Sequence, residues 1–143
     1  MNIHFTVPAV PVAQPRPRAT AFGGHAQMYT PTNSAVNAFK AAVQQAFKSQ
    51  YNGPPLEGPL GLTLTFVMPR TKGMMWKTKP MPRTWYDKGK NDWDNLGKSS
   101  CDALNKIAWR DDGQLCEVLV RRLIAAGDEA PHVEIEIDAL TSD

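Results

Sequence analysis

Leu60 to Met68 constrains this chain more than any other stretch. Leu60, Leu62, Leu64, Phe66 and Met68 alternate with Gly61, Thr63, Thr65 and Val67, and a period of two delivers an apolar set to one core only in a β-strand. Val133, Ile135, Ile137 and Ala139 alternate in the same way with Glu134, Glu136 and Asp138, so a final strand has one face in the core and one in water. Those three acids are a solvated face, too regular to be ligands. Ile3, Phe5 and Val7 form a short first strand ending at Pro8, and Leu115 to Ile124 is strand-like throughout. Between Thr32 and Gln50, Val36, Phe39, Val43, Ala46 and Phe47 follow a helical period after the start signals Pro31 to Ser34.

A second helix, from about Asp94 to Ile107, buries Leu96, Ala103, Leu104 and Ile107. The order is strand, helix, strand, basic loop, helix, strand, strand. It predicts a single α+β domain over residues 1–143, with a mixed sheet of about four strands covered on one face by two helices. The last two strands are expected to form a hairpin. Pro11 to Gly24 is too rich in proline and glycine for regular structure.

Charge is distributed unevenly. The net value of +2 hides eleven Lys and Arg against Glu57 and Asp87 in residues 1–91, and five against twelve acids in residues 92–143. The first part reads as a polyanion-binding surface. Its densest stretch runs from Arg70 to Lys90, where Arg70, Lys72, Lys77, Lys79, Arg83, Lys88 and Lys90 are interleaved with Trp76, Trp85 and Tyr86. Such a segment cannot be a core element. Loops beyond ~12–15 residues are uncommon unless they bind something, and cations mixed with aromatics suit a nucleic-acid backbone and an unstacked base. The expectation is a mobile, DNA-gripping loop. Arg16 and Arg18 ride on the proline-rich stretch, and their guanidinium forks match phosphate oxygens.

The basic loop leads straight into an acidic cluster: Asp92, Asp94, Asp102, Asp111 and Asp112 fall within 21 residues. Asp92 and Asp94 flank a helix start, where aspartate is a preferred cap and suits the helix dipole, and Asp111-Asp112-Gly113 reads by itself as a turn. One cap needs one aspartate, however. If the following strand lies back along the helix, Asp111 or Asp112 approaches the first pair, and clustered carboxylates resist ionising unless a cation sits among them. Hard oxygens without matching His or Cys point to magnesium or manganese rather than zinc. Cys101 and Cys116, with His4, His25 and His132, show no zinc spacing and read as structural or surface residues.

Asp92-x-Asp-Asn-Leu-x-Lys98, then Asp102-Ala-Leu104, then Trp109-x-Asp-Asp-x-Gln114 resembles the core signature of the RusA-type Holliday junction resolvases, small endonucleases typical of prophages. The resemblance is dense here and extends plausibly over the whole chain. It implies that Asp92, Asp94 and Asp112 hold the metal, with Asp111 as the alternative, and that Lys98 is needed for cleavage. Asp102 is expected to fix Lys98, and Asn95 to brace a carboxylate. It also implies a homodimer, since symmetric nicking of a four-way junction calls for two sites on a two-fold axis, and a role in DNA recombination and repair. Two departures stand out: the segment between Asp102 and Asp111 is about one residue short, and Gly97 sits in the first turns of the helix, where it costs roughly 1 kcal/mol relative to alanine.

Two other readings compete. In one, the aspartates are only caps and turns on a non-catalytic DNA-binding module. In the other, the site hydrolyses small phosphate esters, for which the basic segment is excessive. No apolar run approaches the ~20 residues that cross a bilayer, and the N-terminus lacks a signal-peptide pattern, so a cytoplasmic protein without membrane partners is expected.

Overall fold

A computed structural model describes residues 2–15, 18–22, 25–29 and 34–141. In chain order the elements are β1 (Asn2–Val7), β2 (Arg18–Phe22), β3 (His25–Tyr29), α1 (Ser34–Gln50), β4 (Leu60–Met68), β5 (Thr84–Trp85), α2 (Trp93–Leu104), β6 (Leu115–Ile124) and β7 (His132–Ala139). Short 3-10 turns occupy Lys72–Met74 and Asp112–Gln114.

Strand β4 is the middle of a five-stranded mixed sheet ordered β1-β7-β4-β6-β5. Its central place explains its composition: Leu60, Leu62, Leu64, Phe66 and Met68 join the helices in one core, while Thr65, on the other face, is only 6% exposed. The expected α+β layering, with α1 and α2 covering one face, is what the chain adopts. Phe39, Val43 and Phe47 of α1 and Leu96, Ala103 and Leu104 of α2 pack in the same cluster as Ile3, Phe5, Val7, Val133, Ile135 and Ile137. Phe5 meets Phe47 edge-on, with centroids 5.7 Å apart, a pairing that adds about 0.5–1.5 kcal/mol to area burial.

Two sequence expectations fail. Strands β6 and β7 do not pair as a hairpin; β4 lies between them, parallel to β6 and antiparallel to β7. A parallel pair needs a long crossover, and the basic loop together with α2 supplies one from β4 to β6, leaving the other edge of β4 to β7. The stretch from Pro11 to Gly24 is not wholly irregular either, because β2 pairs antiparallel with β3. Its prolines stop at Pro17, and the paired ends Phe22 and His25 leave only Gly23 and Gly24 between them in sequence, a dipeptide suited to a two-residue hairpin loop.

Helix α2 ends one turn earlier than Ile107. The amide of Ile107 donates to the Leu104 carbonyl (3.1 Å), with Asn105 at φ −60°, ψ 132° and Lys106 at φ 67°. This is a type II turn, and its third position favours glycine because a Cβ is crowded at positive φ. Lys106→Gly is expected to stabilise the fold by about 1 kcal/mol, read as a rise of roughly 3–5 °C in Tm. Gly97 is a different case. A Cβ there would meet Val120 Cγ2 at 3.7 Å and Leu64 Cδ1 at 4.0 Å, which is ordinary contact. Gly97→Ala should therefore recover about 1 kcal/mol of helix propensity, visible as a higher denaturant midpoint at unchanged m-value.

Candidate active site

The loop between β4 and α2 is built on two arginines. Arg70 donates from Nε to the Met74 carbonyl (2.9 Å) and from Nη1 to those of Pro82 (3.0 Å) and Ala125 (3.2 Å). Its guanidinium lies 4.8 Å from the Trp76 ring centroid, and Lys79 Nζ lies 4.6 Å from it. Trp76 thus packs within the loop. Arg83 donates to Glu129 (Nε to Oε2, 2.9 Å) and Glu134 (Nη2 to Oε2, 2.8 Å). The Glu129 carboxyl is held below the usual carboxylate range mainly by Arg83's hydrogen bonds. Burial pushes the Glu134 carboxyl up, but hydrogen bonds from His132 and Arg83 outweigh it and hold this group low as well. Both arginines were expected to grip DNA; their guanidinium groups instead fasten the loop. Lys72, Lys77, Lys79, Lys88 and Lys90 are all exposed.

A residue that sequence reasoning missed joins this loop to α2. Arg122, on β6, donates to the Asn91 carbonyl (2.8 Å) and stacks 5.4 Å from the Tyr86 ring centroid, while its own carbonyl accepts from the Tyr86 amide (3.1 Å). The backbone just before Asp92 is therefore tied to the sheet. The only hint in the sequence is a pair of arginines in an otherwise apolar strand.

Asp92 is the N-cap residue of α2, in extended conformation (φ −67°, ψ 146°), and its carboxylate makes no cap hydrogen bond. Asp94, in the first turn, and Lys98, one turn on, are exposed. The proline-rich segment crosses the same end of the helix: the Gln14 amide donates to the Asn95 carbonyl (2.9 Å), and Ser99 Oγ donates to the Val12 carbonyl (2.6 Å). The chain thus enters the Arg16 to Arg18 stretch beside the first turn of α2. Arg16 and the side chain of Arg18 lie outside the described residues.

At 100° per residue, Asp102 is rotated about 80° from Asp94 around the helix, whereas Cys101 is rotated only about 20°. Asp102 accordingly turns toward α1, where its Oδ2 lies 3.9 Å from Lys40 Nζ. It was expected to fix Lys98; the ion pair it makes is with Lys40. Cys101 is pushed up to about 12, first by burial and then by the charges of Asp112 and Asp102. Asp112 therefore lies within electrostatic reach of Cys101.

Both residues of the Asp111-Asp112 pair have local partners. Asp111 caps the 3-10 turn, its Oδ2 accepting from the Gly113 amide (2.9 Å). Gln114 completes this capping box, its Oε1 accepting from the amides of Arg110 (2.8 Å) and Asp111 (3.0 Å). The Gln114 amide group also donates to the carbonyls of Leu56 and Gly58, both at 3.0 Å, which pins the turn to the loop before β4. Asp112 Oδ1 accepts from the indole Nε1 of Trp109 (2.8 Å), and Trp109 is completely buried.

Among the described residues, no three His, Cys, Asp or Glu side chains are grouped closely enough to hold a metal ion. The expected convergence of Asp92 and Asp94 with Asp111 or Asp112 into a finished cage is thus not present. Asp111 is engaged instead as the cap of the 3-10 turn, and Asp112 by the indole of Trp109. The donors themselves are hard oxygens, chemistry that suits magnesium or manganese and not zinc.

No helix is long and apolar enough to cross a membrane among the described residues. The family profile described as Endodeoxyribonuclease RusA matches residues 8–138 of the chain. The chain is also 30% identical over 141 residues to the uncharacterized protein YqaN of Bacillus subtilis (strain 168), an alignment covering 94% of each protein.

Proposed function

The chain belongs to the RusA endodeoxyribonuclease family, and from that membership we propose that it is a divalent-metal-dependent endonuclease that nicks four-way DNA junctions symmetrically as a homodimer, in DNA recombination and repair in the cytoplasm. The observation that carries this reading is continuity. A loop bearing five exposed lysines runs unbroken into the helix cap that holds Asp92 and Asp94, and Arg122 clamps the join. Phosphate drawn to the lysines is delivered beside the carboxylates.

Asp92, Asp94 and Asp112, with Asp111 adjoining, would hold magnesium or manganese. When bound, such an ion polarises the scissile phosphate and activates the attacking water. Lys98 is exposed one turn along α2 from Asp94, where its ammonium would stabilise the extra negative charge on phosphorus in the transition state. Trp109 is a positioning residue that orients Asp112 through its indole N–H. Asn95 steadies the first turn through its carbonyl bond to Gln14. Lys72, Lys77, Lys79, Lys88 and Lys90, with Arg16 and Arg18, hold the DNA backbone, and binding should weaken steeply with salt as condensed counterions cease to be released to a dilute solution.

A non-catalytic DNA-binding module is the competing reading, favoured by the local hydrogen bonds that occupy Asp111 and Asp112. Incubating the protein with a labelled four-way junction and a matched linear duplex, with magnesium or with EDTA, separates the two. A resolvase gives paired nicks in the junction with magnesium alone. A module that only binds retains the junction in both conditions and never cuts it.

A further inference from the structure

The loop between β4 and α2 encloses a cavity of about 510 Å³ beside β5. Its walls include Met74, Trp85, Tyr86 and Ile124, with Asp87 and Lys88 among them, and its size falls in the ~300–1,000 Å³ range of sites for compact organic ligands. One wall is fixed in advance. The Tyr86 ring has the Arg122 guanidinium 5.4 Å from its centroid, and its hydroxyl accepts from Asn91 Nδ2 at 3.4 Å. The same ring lies so close to Gly89 that a Cβ at that position would run into Tyr86 Cζ. Trp85 differs: its backbone is paired with Leu123 in the sheet, yet 65% of the residue is exposed. An aromatic ring on an anchored backbone and open to solvent is a platform for stacking.

Asp87 is the anomaly. It is the one acid from Arg70 to Lys90, among seven Lys and Arg, and its carboxylate makes no hydrogen bond or ion pair with the other described residues. In a loop that gathers phosphate, such a charge repels the backbone it is meant to hold. It is accounted for when it faces a base.

We propose that this cavity takes one unstacked nucleobase of the substrate strand, and that Asp87 makes it selective for guanine. A carboxylate accepts at two oxygens. Guanine alone of the four bases presents two adjacent donors on its Watson–Crick edge, N1–H and N2–H, a matched pair for those oxygens. Adenine and cytosine set a bare ring nitrogen beside their amino group, and thymine flanks one N–H with two carbonyls, so a carboxylate oxygen on any of these meets an acceptor. Trp85 and Tyr86 supply aromatic surface to the base, and Lys88 offsets the charge of its phosphate. The Watson–Crick edge is free only where a base is unpaired, as at the centre of a branch, so the cavity also favours branched over linear DNA. Asp92 follows Asp87 by five residues, at most about 18 Å of chain, which puts the guanine within about five nucleotides of the scissile phosphate. The inference deepens the endonuclease reading and rests on it for the identity of the polymer.

The test is fluorescence anisotropy of the full chain with labelled single strands, in EDTA so that nothing is cut. Each strand is a short thymidine tract whose central base is guanine, hypoxanthine, adenine, cytosine or thymine. Wild type should bind the guanine strand about tenfold tighter than the adenine and thymine strands, with hypoxanthine, which lacks the 2-amino group, in between. Asp87→Asn should bring guanine to within about twofold of adenine. Trp85→Ala should weaken the guanine strand by about tenfold. Both side chains are exposed, and circular dichroism should show the same fold in each variant. A wild type that does not prefer guanine to hypoxanthine, a preference that survives Asp87→Asn, or guanine binding indifferent to Trp85→Ala would each overturn the proposal. The nicking assay is read separately: a protein that selects guanine but cuts no junction keeps the cavity and loses the endonuclease reading, and one that cuts junctions without selecting guanine does the reverse.

Discussion

Asp92→Asn is expected to bind a four-way junction at least as tightly as wild type and to leave it uncut. Asparagine is as good an N-cap as aspartate, nearly isosteric with it, and Asp92 stands in extended backbone ahead of α2. The substitution should therefore spare the fold. What it removes is one full negative charge among the carboxylates offered to the cation. Metal-based stabilisation of a phosphoryl transition state is worth several kcal/mol, so the rate of junction nicking should fall by about 10³-fold or more. Binding should tighten slightly, because a negative charge facing phosphate is gone. Nicking at the wild-type rate would take Asp92 out of the mechanism and return the aspartates to their roles as caps and turns.

Trp109 carries the second large effect, and two substitutions divide it. It is the largest of the completely buried side chains and lies in the core cluster with Phe47, Leu96 and Leu104. Trp109→Ala should cost about 3–5 kcal/mol, lowering Tm by roughly 10–20 °C. Trp109→Phe keeps most of the apolar volume but deletes the indole N–H that holds Asp112 Oδ1 at 2.8 Å. Loss of a group orienting a ligand typically costs 10–100-fold. Trp109→Phe should thus lower nicking by about 10–100-fold while sparing most of the stability. A phenylalanine variant that cuts normally would show that Asp112 needs no orientation from the core.

How far the chain could be read in advance depends on the range of the forces involved. Leu60–Met68 and Leu115–Ile124 were bounded to the residue because their apolar patterns are local and dense. The helix start at Asp92 to Asp94 was equally legible, since capping preferences act over one turn. Lys106 in its positive-φ turn ended α2 ahead of Ile107, and helical periodicity alone carries no signal for that stop.

The roles of the loop cations were less legible. A count of positive charges could not separate Arg70 and Arg83 from the lysines around them. Their partners are carbonyls and carboxylates as far away as Ala125, Glu129 and Glu134. Asp102 illustrates the same limit: a stripe of residues four apart drifts around a 3.6-residue helix, and after two steps it faces α1 and Lys40.

The sequence by itself determined the α+β composition, the alternation of the core strands, the family and the string of carboxylates after a basic loop, because each of these is written in residue type and spacing. Tertiary structure alone decided that β4 would part β6 from β7, that Arg122 would clamp the approach to Asp92, and that Asp112 would hang from a buried tryptophan. Those outcomes depend on which distant surfaces meet, and a burial energy shared among many contacts leaves no mark at any one position.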